Sequence, residues 1–127
     1  MDGNRTPQGA SVQEQIRHLD EALALSRVGG DMDLLREVVE LFLDDYPSAL
    51  EKLRSAVSAH DPSGVEHQAH SLKGSVSTFG AQEAFEAALV LEKQGRSGDL
   101  TGAQDGLLQL EQALEALHPE LVLLQTK

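Results

Sequence analysis

The sequence predicts an all-α protein, an up-and-down four-helix bundle with an additional N-terminal helix that caps one end. Apolar residues recur at spacings of three and four through four long stretches, and each stretch is bounded by helix-breaking or capping residues. Hydrophobic residues make up 40% of the chain and aromatic residues only 3%, so the core must consist mainly of Leu, Val and Ala. Strand signals are nearly absent, which leaves no basis for a sheet.

The chain length of 127 residues is enough to bury one core but not two. Residues 1–10 are polar and contain two glycines and a proline, which predicts a flexible tail. We therefore expect a single bundle domain over residues 11–127.

The composition also argues against several classes of function. A net charge of −11 disfavours nucleic acid and anionic membrane surfaces as partners, because both require basic patches. No apolar run approaches the roughly 20 residues of a membrane span, and the N-terminus has no apolar signal core, so we expect a cytoplasmic protein. The absence of cysteine excludes disulfides, thiolate metal sites and cysteine nucleophiles.

The first predicted helix begins at a capping box, Ser11-Val12-Gln13-Glu14, in which the hydroxyl accepts from the first turn. It ends before Gly29-Gly30. Its apolar residues follow at spacings of four, three and four: Val12, Ile16, Leu19 and Leu23.

The second helix starts after Asp31, a plausible N-cap, and Pro47 interrupts it. The apolar stripe stays in phase across the proline, which predicts one long kinked helix. The stripe consists of Leu35, Val38, Val39, Phe42, Tyr46, Ala49, Leu50, Leu53 and Val57. Asp61-Pro62 can cap and start the next helix, with proline at its first position.

The third helix has one apolar face and ends at Gly80. His70 lies roughly 140° from the centre of that face at 100° per residue, so its imidazole is expected to face water. The apolar face consists of Val65, Ala69, Leu72, Val76 and Phe79.

A fourth helix is predicted from about Ala81 to Gln94, stopping in Gly95-Arg96-Ser97-Gly98, with Ala84, Phe85, Ala88 and Leu91 inward. Thr101 and Gln104 form a second capping-box pattern ahead of the last helix. The inward residues of that helix alternate spacings of four and three: Ala103, Leu107, Leu110, Leu114, Leu117 and Leu121.

The exposed face of the third helix has an unusual composition around His70. Lys73 and Gly74 follow it at i+3 and i+4, and Ser77 lies at i+7. A glycine inside a helix costs about 1 kcal/mol relative to alanine, and Gly74 gains no packing in return. It leaves open space through which another molecule could approach His70.

The segment His70-Ser71-Leu72-Lys73-Gly74-Ser75, closing at Phe79-Gly80-Ala81, resembles the signature of histidine-containing phosphotransfer (HPt) domains. The surrounding helical pattern extends this resemblance over roughly residues 20–120. It implies a phosphorelay intermediate, in which His70 accepts a phosphoryl group from a receiver-domain aspartate and passes it to another. The implied partners are receiver domains of response regulators or hybrid histidine kinases. We expect a monomeric phosphocarrier that has no independent catalytic domain and no cofactor of its own.

The chemistry of imidazole fits this role, because its unperturbed pKa near 6.5 leaves a good fraction neutral and nucleophilic at pH 7. Lys73 would offset the phosphoryl charge as a point cation, and Gly74 would admit the partner. We identified no acidic pocket beside His70 for Mg²⁺, so the metal is expected on the receiver. Leu91-Glu92 and Gly95-Arg96 resemble the family's segment on the adjacent helix, where a basic residue sometimes lies near the phosphate. This makes Arg96 a candidate for that role, but a charge meeting the helix dipole is the favoured interpretation.

Three alternatives remain open from the sequence. A histidine-kinase dimerisation domain also displays a histidine on a bundle, although Ser71 and Gly74 stand where that family has an acid and a proline. A metal site could form from Glu66, His67 and His70, although the two histidines are three residues apart, not four. A purely structural bundle that binds a partner helix would not need His70.

Overall fold

The computed structural model describes residues 17–127, and in that range the chain forms five α-helices and no strand. The helices are α1 (Glu21–Arg27), α2 (Met32–Ser58), α3 (Pro62–Ser77), α4 (Gln82–Ser97) and α5 (Ala103–Gln125). The predicted all-α class is confirmed. The predicted flexible tail over residues 1–10 and the capping box at Ser11 lie outside the described residues.

The four long helices form a closed ring in which each contacts its two neighbours. α2 packs on α3, α3 on α4, α4 on α5, and α5 returns to α2, with no diagonal contact among the described helices. Consecutive helices joined by short connections and packed side by side make an up-and-down bundle, as predicted. The apolar stripes of all four face the common core, and the largest fully buried side chains include Leu35, Leu53, Phe79, Leu91 and Leu110.

The predicted first helix is not continuous through residues 17–20. Residues 17–20 are not helical, and α1 begins only at Glu21, where the Asp20 side chain accepts a hydrogen bond from the Leu23 amide at 3.0 Å. The side-chain cap at Asp20 therefore sets the start of the helix. α1 still covers one end of the bundle, since the Asp20 amide donates to the Phe79 carbonyl at 2.8 Å.

Helix α2 passes through Pro47 without interruption, so one long helix is the correct prediction. Pro47 is exposed. The expected caps are also present: Asp31 accepts from the Leu34 amide, and Asp61 accepts from the Gly64 amide, each at 3.1 Å.

Two boundaries differ from the prediction. Helix α4 continues three residues beyond the expected Gln94, to Ser97, and ends at Gly98, the last residue of the predicted stop segment, whose φ of 80° is in the left-handed region. Thr101 does not cap α5; the N-cap is Gly102, and the Thr101 hydroxyl donates to Asp99 Oδ1 at 2.6 Å.

Gly95 is buried because the backbone of α3 passes directly over it. A Cβ atom at this position would lie 2.5 Å from the Glu66 amide nitrogen and 2.6 Å from the Pro62 carbonyl oxygen. Only glycine allows this approach, which sets the axial position of α4 against the first turns of α3. Within residues 17–127, no helix is long and apolar enough to cross a membrane.

Candidate functional site

His70 lies on the outer face of α3, and 67% of its side chain is exposed. The stripe on the opposite face is fully buried, with Val65, Ala69 and Val76 each at 0% exposure. Burial of that stripe fixes the rotation of the helix, so the imidazole must point outward. The predicted exposure of His70 is confirmed.

The ring of His70 is not free, because its Nδ1 atom lies 2.8 Å from Oε2 of Glu92 on α4. Within residues 17–127, Glu92 is the one charged side chain that is buried, with 3% of it exposed. Burying a carboxylate is costly unless it is paired and hydrogen-bonded. The cost here is offset by nitrogen atoms from three side chains.

The other two nitrogens belong to Lys73 and Arg96. Lys73 Nζ lies 2.7 Å from Glu92 Oε1, and Arg96 Nη2 lies 2.9 Å from Oε2. Arg96 also donates from Nε to Glu66 Oε2 at 3.2 Å, which joins α4 to the first turns of α3. The side chain of Lys73 is only 21% exposed, whereas that of Arg96 is 60% exposed.

The cluster favours the ionised form of the carboxyl group. The hydrogen bond from Lys73 is the largest influence that lowers the pKa of Glu92, and the bond from His70 adds to it. Burial acts in the opposite direction and is outweighed. Glu92 is therefore a carboxylate at neutral pH, and an ionised carboxylate can only accept hydrogen bonds.

Gly74 leaves the space beside His70 open. No heavy atom of the described chain, apart from its own helix backbone and its chain neighbours, lies within 4 Å of a Cβ atom built at this position. Gly74 is exposed and has no packing reason to be glycine. This geometry is what the predicted access role requires.

The structure thus brings together His70, Lys73 and Arg96 around a residue that the sequence reasoning missed as part of the site. Glu92 lies four residues after Ala88 and three before Gly95, both of which are buried. An acidic residue on the buried face of helix α4, at helical spacing from Ala88, was the signal that could have identified it. The sequence reasoning considered the neighbourhood of His70 only for a Mg²⁺ pocket and did not place Glu92 against the ring, where the structure has it. The favoured interpretation of Arg96 as a helix-end charge was incomplete, because its guanidinium also pairs with Glu92 and Glu66.

The other histidines in the described range do not form a comparable site. His60 and His67 are exposed, as expected. His18 and His118 were expected to be solvated, but His18 Nδ1 lies 2.6 Å from Glu120 Oε2 and His118 Nδ1 lies 2.8 Å from the Tyr46 hydroxyl. These two contacts tie α5 to the residues before α1 and to α2.

The residues of the alternative metal site are used differently. The Glu66 carboxylate pairs with Arg96, and the His70 Nδ1 atom pairs with Glu92. Among residues 17–127, no group of three His, Asp or Glu side chains is placed to hold a metal ion.

Known proteins resemble this chain in sequence and in fold. The family model for the Hpt domain matches residues 37–120, a range that contains every member of the cluster. The chain is 31% identical over 80 residues to the signal transduction histidine-protein kinase BarA of Shigella flexneri and of Escherichia coli K12. That match covers 63% of this chain but only 9% of either kinase.

The crystal structure of histidine-containing phosphotransfer protein B from Pseudomonas aeruginosa PAO1 superposes with a TM-score of 0.80 at 26% identity. The superposition covers 87% of this chain and 96% of that protein. The chain belongs to the Hpt domain family, and its role is that of a phosphocarrier in a phosphorelay.

Proposed function

We propose that His70 is the phosphoryl acceptor of this phosphocarrier, taking the group from a receiver-domain aspartate and passing it to a second receiver aspartate. The observation that carries the proposal is the exposed imidazole of His70, 67% accessible, inside the segment that matches the Hpt family. Phosphoryl transfer depends almost entirely on positioning and charge stabilisation. A histidine held by one ring nitrogen and open to solvent supports both requirements.

Lys73 and Gly74 have assisting roles in this proposal. The Lys73 ammonium lies one turn from His70 and next to Glu92, so its charge can offset negative charge on the carboxylate and near the phosphoryl group. Gly74 leaves room for the backbone or side chain of the partner. We expect the Mg²⁺ of the reaction to arrive with the receiver, because the carboxylate beside His70 is already taken by three nitrogen donors.

The receiver is expected to dock over a groove between α2 and α3, hereafter the α2–α3 groove. Leu41 is 62% exposed on α2 at this groove, and Ser71, directly after His70, lines its other side. A receiver that brings its aspartate to His70 must cover the adjacent surface. The residues that line the groove are Val38, Leu41, Phe42, Asp45, Tyr46, Ala49, Ser71, Leu72, Ser75, Thr78 and Phe79.

The test is incubation with a phosphorylated receiver domain, followed by detection of acid-labile phosphate on this chain. His70→Gln should abolish phosphate acceptance, because glutamine has no nucleophilic nitrogen. It should lower the free energy of unfolding by about 0.5–1.5 kcal/mol, the usual net value of one hydrogen bond, because the contact with Glu92 is weakened or lost.

His67→Gln is the matched control, since His67 is exposed on the same helix one turn away. It should retain acceptance. Phosphate on the His70→Gln protein, or its loss in His67→Gln alone, would mean that another histidine carries the group.

A further inference from the structure

Arg27 is the last residue of α1, and its exposed side chain reaches the C-terminal end of α3. The Nη1 atom donates to the Ser77 carbonyl at 2.6 Å and lies 3.2 Å from the Ser77 hydroxyl. We propose that Arg27 is a docking residue for receiver domains and that the free edge of its guanidinium binds an acidic side chain of the receiver. This inference rests on the proposed exchange of phosphate between His70 and receivers.

The contact with Ser77 occupies only one nitrogen of the guanidinium. A guanidinium carries several N–H donors in a fixed plane, and the Nε and Nη2 atoms of Arg27 donate to no acceptor within residues 17–127. These two atoms form an edge that can bind a carboxylate through two parallel hydrogen bonds. Because Nη1 already holds the group against α3, little side-chain freedom remains to be lost when a partner binds.

The charge of Arg27 is not offset by any carboxylate in the described part of the chain. Arg36, Arg54 and Arg96 each pair with an acidic side chain, whereas the partners of Arg27 are the carbonyl and the hydroxyl of one serine. The protein as a whole has a net charge of −11, which repels acidic partners at long range. An uncompensated guanidinium on this surface is a local site of complementary charge for such a partner.

Arg27 also lies on the surface that a receiver covers when it reaches His70. Ser77 is at i+7 from His70, on the same face of α3 and roughly 10 Å along the helix axis. A standard interface of about 800 Å² per partner corresponds to a disc of roughly 16 Å radius, so a receiver centred on His70 extends past Ser77. Gly74 lies between them and presents no side chain, and Thr78 lines the α2–α3 groove.

The chemistry of the donor agrees with an acidic contact at this position. A receiver presents an aspartyl phosphate to His70, so the face that it turns toward this protein carries negative charge. Complementary charges at the edge of an interface accelerate association and fix the orientation of the partners. Arg27 thereby orients the receiver so that its aspartate meets the outward ring of His70, and it favours receivers that carry an acidic residue opposite it.

The first test compares Arg27→Gln with Lys93→Gln in transfer from a phosphorylated receiver domain. Both variants lose one positive charge, and Lys93 is exposed on α4 three residues after Val90, which lines the side of α4 that faces α5. At low salt, Arg27→Gln should lower kcat/KM about fivefold and Lys93→Gln less than about twofold. At about 0.5 M salt the effect of Arg27→Gln should shrink to about twofold, because salt screens an exposed ion pair.

Phosphoramidate, a small phosphoryl donor that needs no receiver, separates docking from a structural role. The N–P bond to His70 forms as the P–N bond of phosphoramidate breaks and ammonia leaves with the bonding electron pair. Arg27→Gln should react with this donor at the wild-type rate. Arg27→Lys keeps the charge and should recover most of the receiver-dependent rate that Arg27→Gln loses. Equal slowing of Arg27→Gln with both donors would show that Arg27 serves structure alone.

A ¹⁵N nuclear magnetic resonance titration of the wild type tests the contact without any substitution. When the unphosphorylated receiver is added, the Nε–H resonance of Arg27 should shift and exchange more slowly with water. The Nε–H resonance of Arg54 is the internal reference, since that atom already donates to Glu111 at 2.6 Å, and it should stay unchanged.

Two outcomes would overturn the inference while leaving the proposed function in place. One is an unchanged Arg27 resonance in a complex that forms, and the other is equal transfer to Arg27→Gln and Lys93→Gln from a receiver that phosphorylates the wild type. A wild type that accepts phosphate from no phosphorylated receiver would instead overturn the proposed function, and this inference with it.

Discussion

At the scale of single residues, the site depends on one carboxylate that contacts three nitrogen-bearing side chains. Glu92 bonds His70 and Lys73 across the α3–α4 interface and Arg96 within its own helix. Removing one nitrogen partner of such a cluster is destabilising, because the buried charge of Glu92 then has less compensation. The cluster therefore contributes to the stability of the bundle and holds the ring of His70 in place.

The lowered pKa of Glu92 predicts how stability varies with pH. A carboxyl group whose pKa is lower in the folded state stabilises the fold above its unfolded pKa, near 4.5, and loses that contribution as the pH falls through the folded value. The free energy of unfolding of the wild type should therefore approach that of Glu92→Gln as the pH is lowered from about 6 to about 3. Urea denaturation of both proteins across this range measures the difference; a difference that stays constant would contradict the assignment.

Gly74 predicts a steric effect on transfer. Gly74→Gln should fold normally, since a Cβ atom meets nothing there, but its longer side chain should obstruct the approach to His70 and slow transfer from a phosphorylated receiver. Gly74→Ala is the matched control and should transfer at close to the wild-type rate. Unchanged kinetics with glutamine would show that this glycine does not serve access.

At the scale of the helices, two glycines on adjacent elements are expected to respond in opposite ways to the same substitution. Gly74→Ala should leave the free energy of unfolding unchanged or raise it by up to about 1 kcal/mol, from helix propensity. Gly95→Ala gains the same propensity but forces a Cβ atom to within 2.6 Å of the α3 backbone. Overpacking typically costs about 1–3 kcal/mol, so we expect net destabilisation in urea denaturation. Equal effects at both positions would contradict the close crossing.

The same pair shows what periodicity can and cannot predict. The stripes identified the helices and the outward rotation of His70, because both depend only on residues of one helix. Gly95 was included in the predicted stop segment with Gly98, since a glycine at a helix end and a glycine under a crossing backbone look alike in sequence. The contact between Glu92 and His70 depends on the axial position of α4 against α3. The spacing of residues within either helix gives no information about that position.

Local hydrogen bonds explain the other shifted boundaries. Residues 17–20 are not helical, and Asp20 starts α1 at Glu21 by accepting from the Leu23 amide. Thr101 bonds Asp99 instead of the first turn of α5. Short polar side chains have several backbone and side-chain partners within reach, so a capping pattern indicates the neighbourhood of a helix end more reliably than the residue itself.

At the scale of the whole molecule, the α2–α3 groove predicts how receivers dock. Leu41→Asn should reduce kcat/KM for transfer from a phosphorylated receiver about tenfold, equivalent to about 1.4 kcal/mol of binding energy. It removes an exposed apolar side chain from the groove that Ser71, the residue after His70, also lines. Phosphorylation by phosphoramidate should be unaffected, since that donor needs no docking surface.

Leu123 provides the matched control, because it is 65% exposed on α5 and comparable to Leu41 at 62%. Leu123→Asn should leave transfer unchanged. Equal losses for both substitutions, or a loss with phosphoramidate as well, would exclude the α2–α3 groove as the docking surface.

The ring of helices also has a consequence for how the chain reaches its native state. Three of the four contacts around the ring join consecutive helices, and only the α5–α2 pair closes a long loop, through Arg54 with Glu111 and Tyr46 with His118. Proteins with mostly local contacts fold in roughly microseconds to milliseconds. Stopped-flow refolding should therefore be complete within milliseconds. If the α5–α2 pair forms after the transition state, substitutions at Arg54 or Tyr46 will accelerate unfolding and leave the folding rate nearly unchanged.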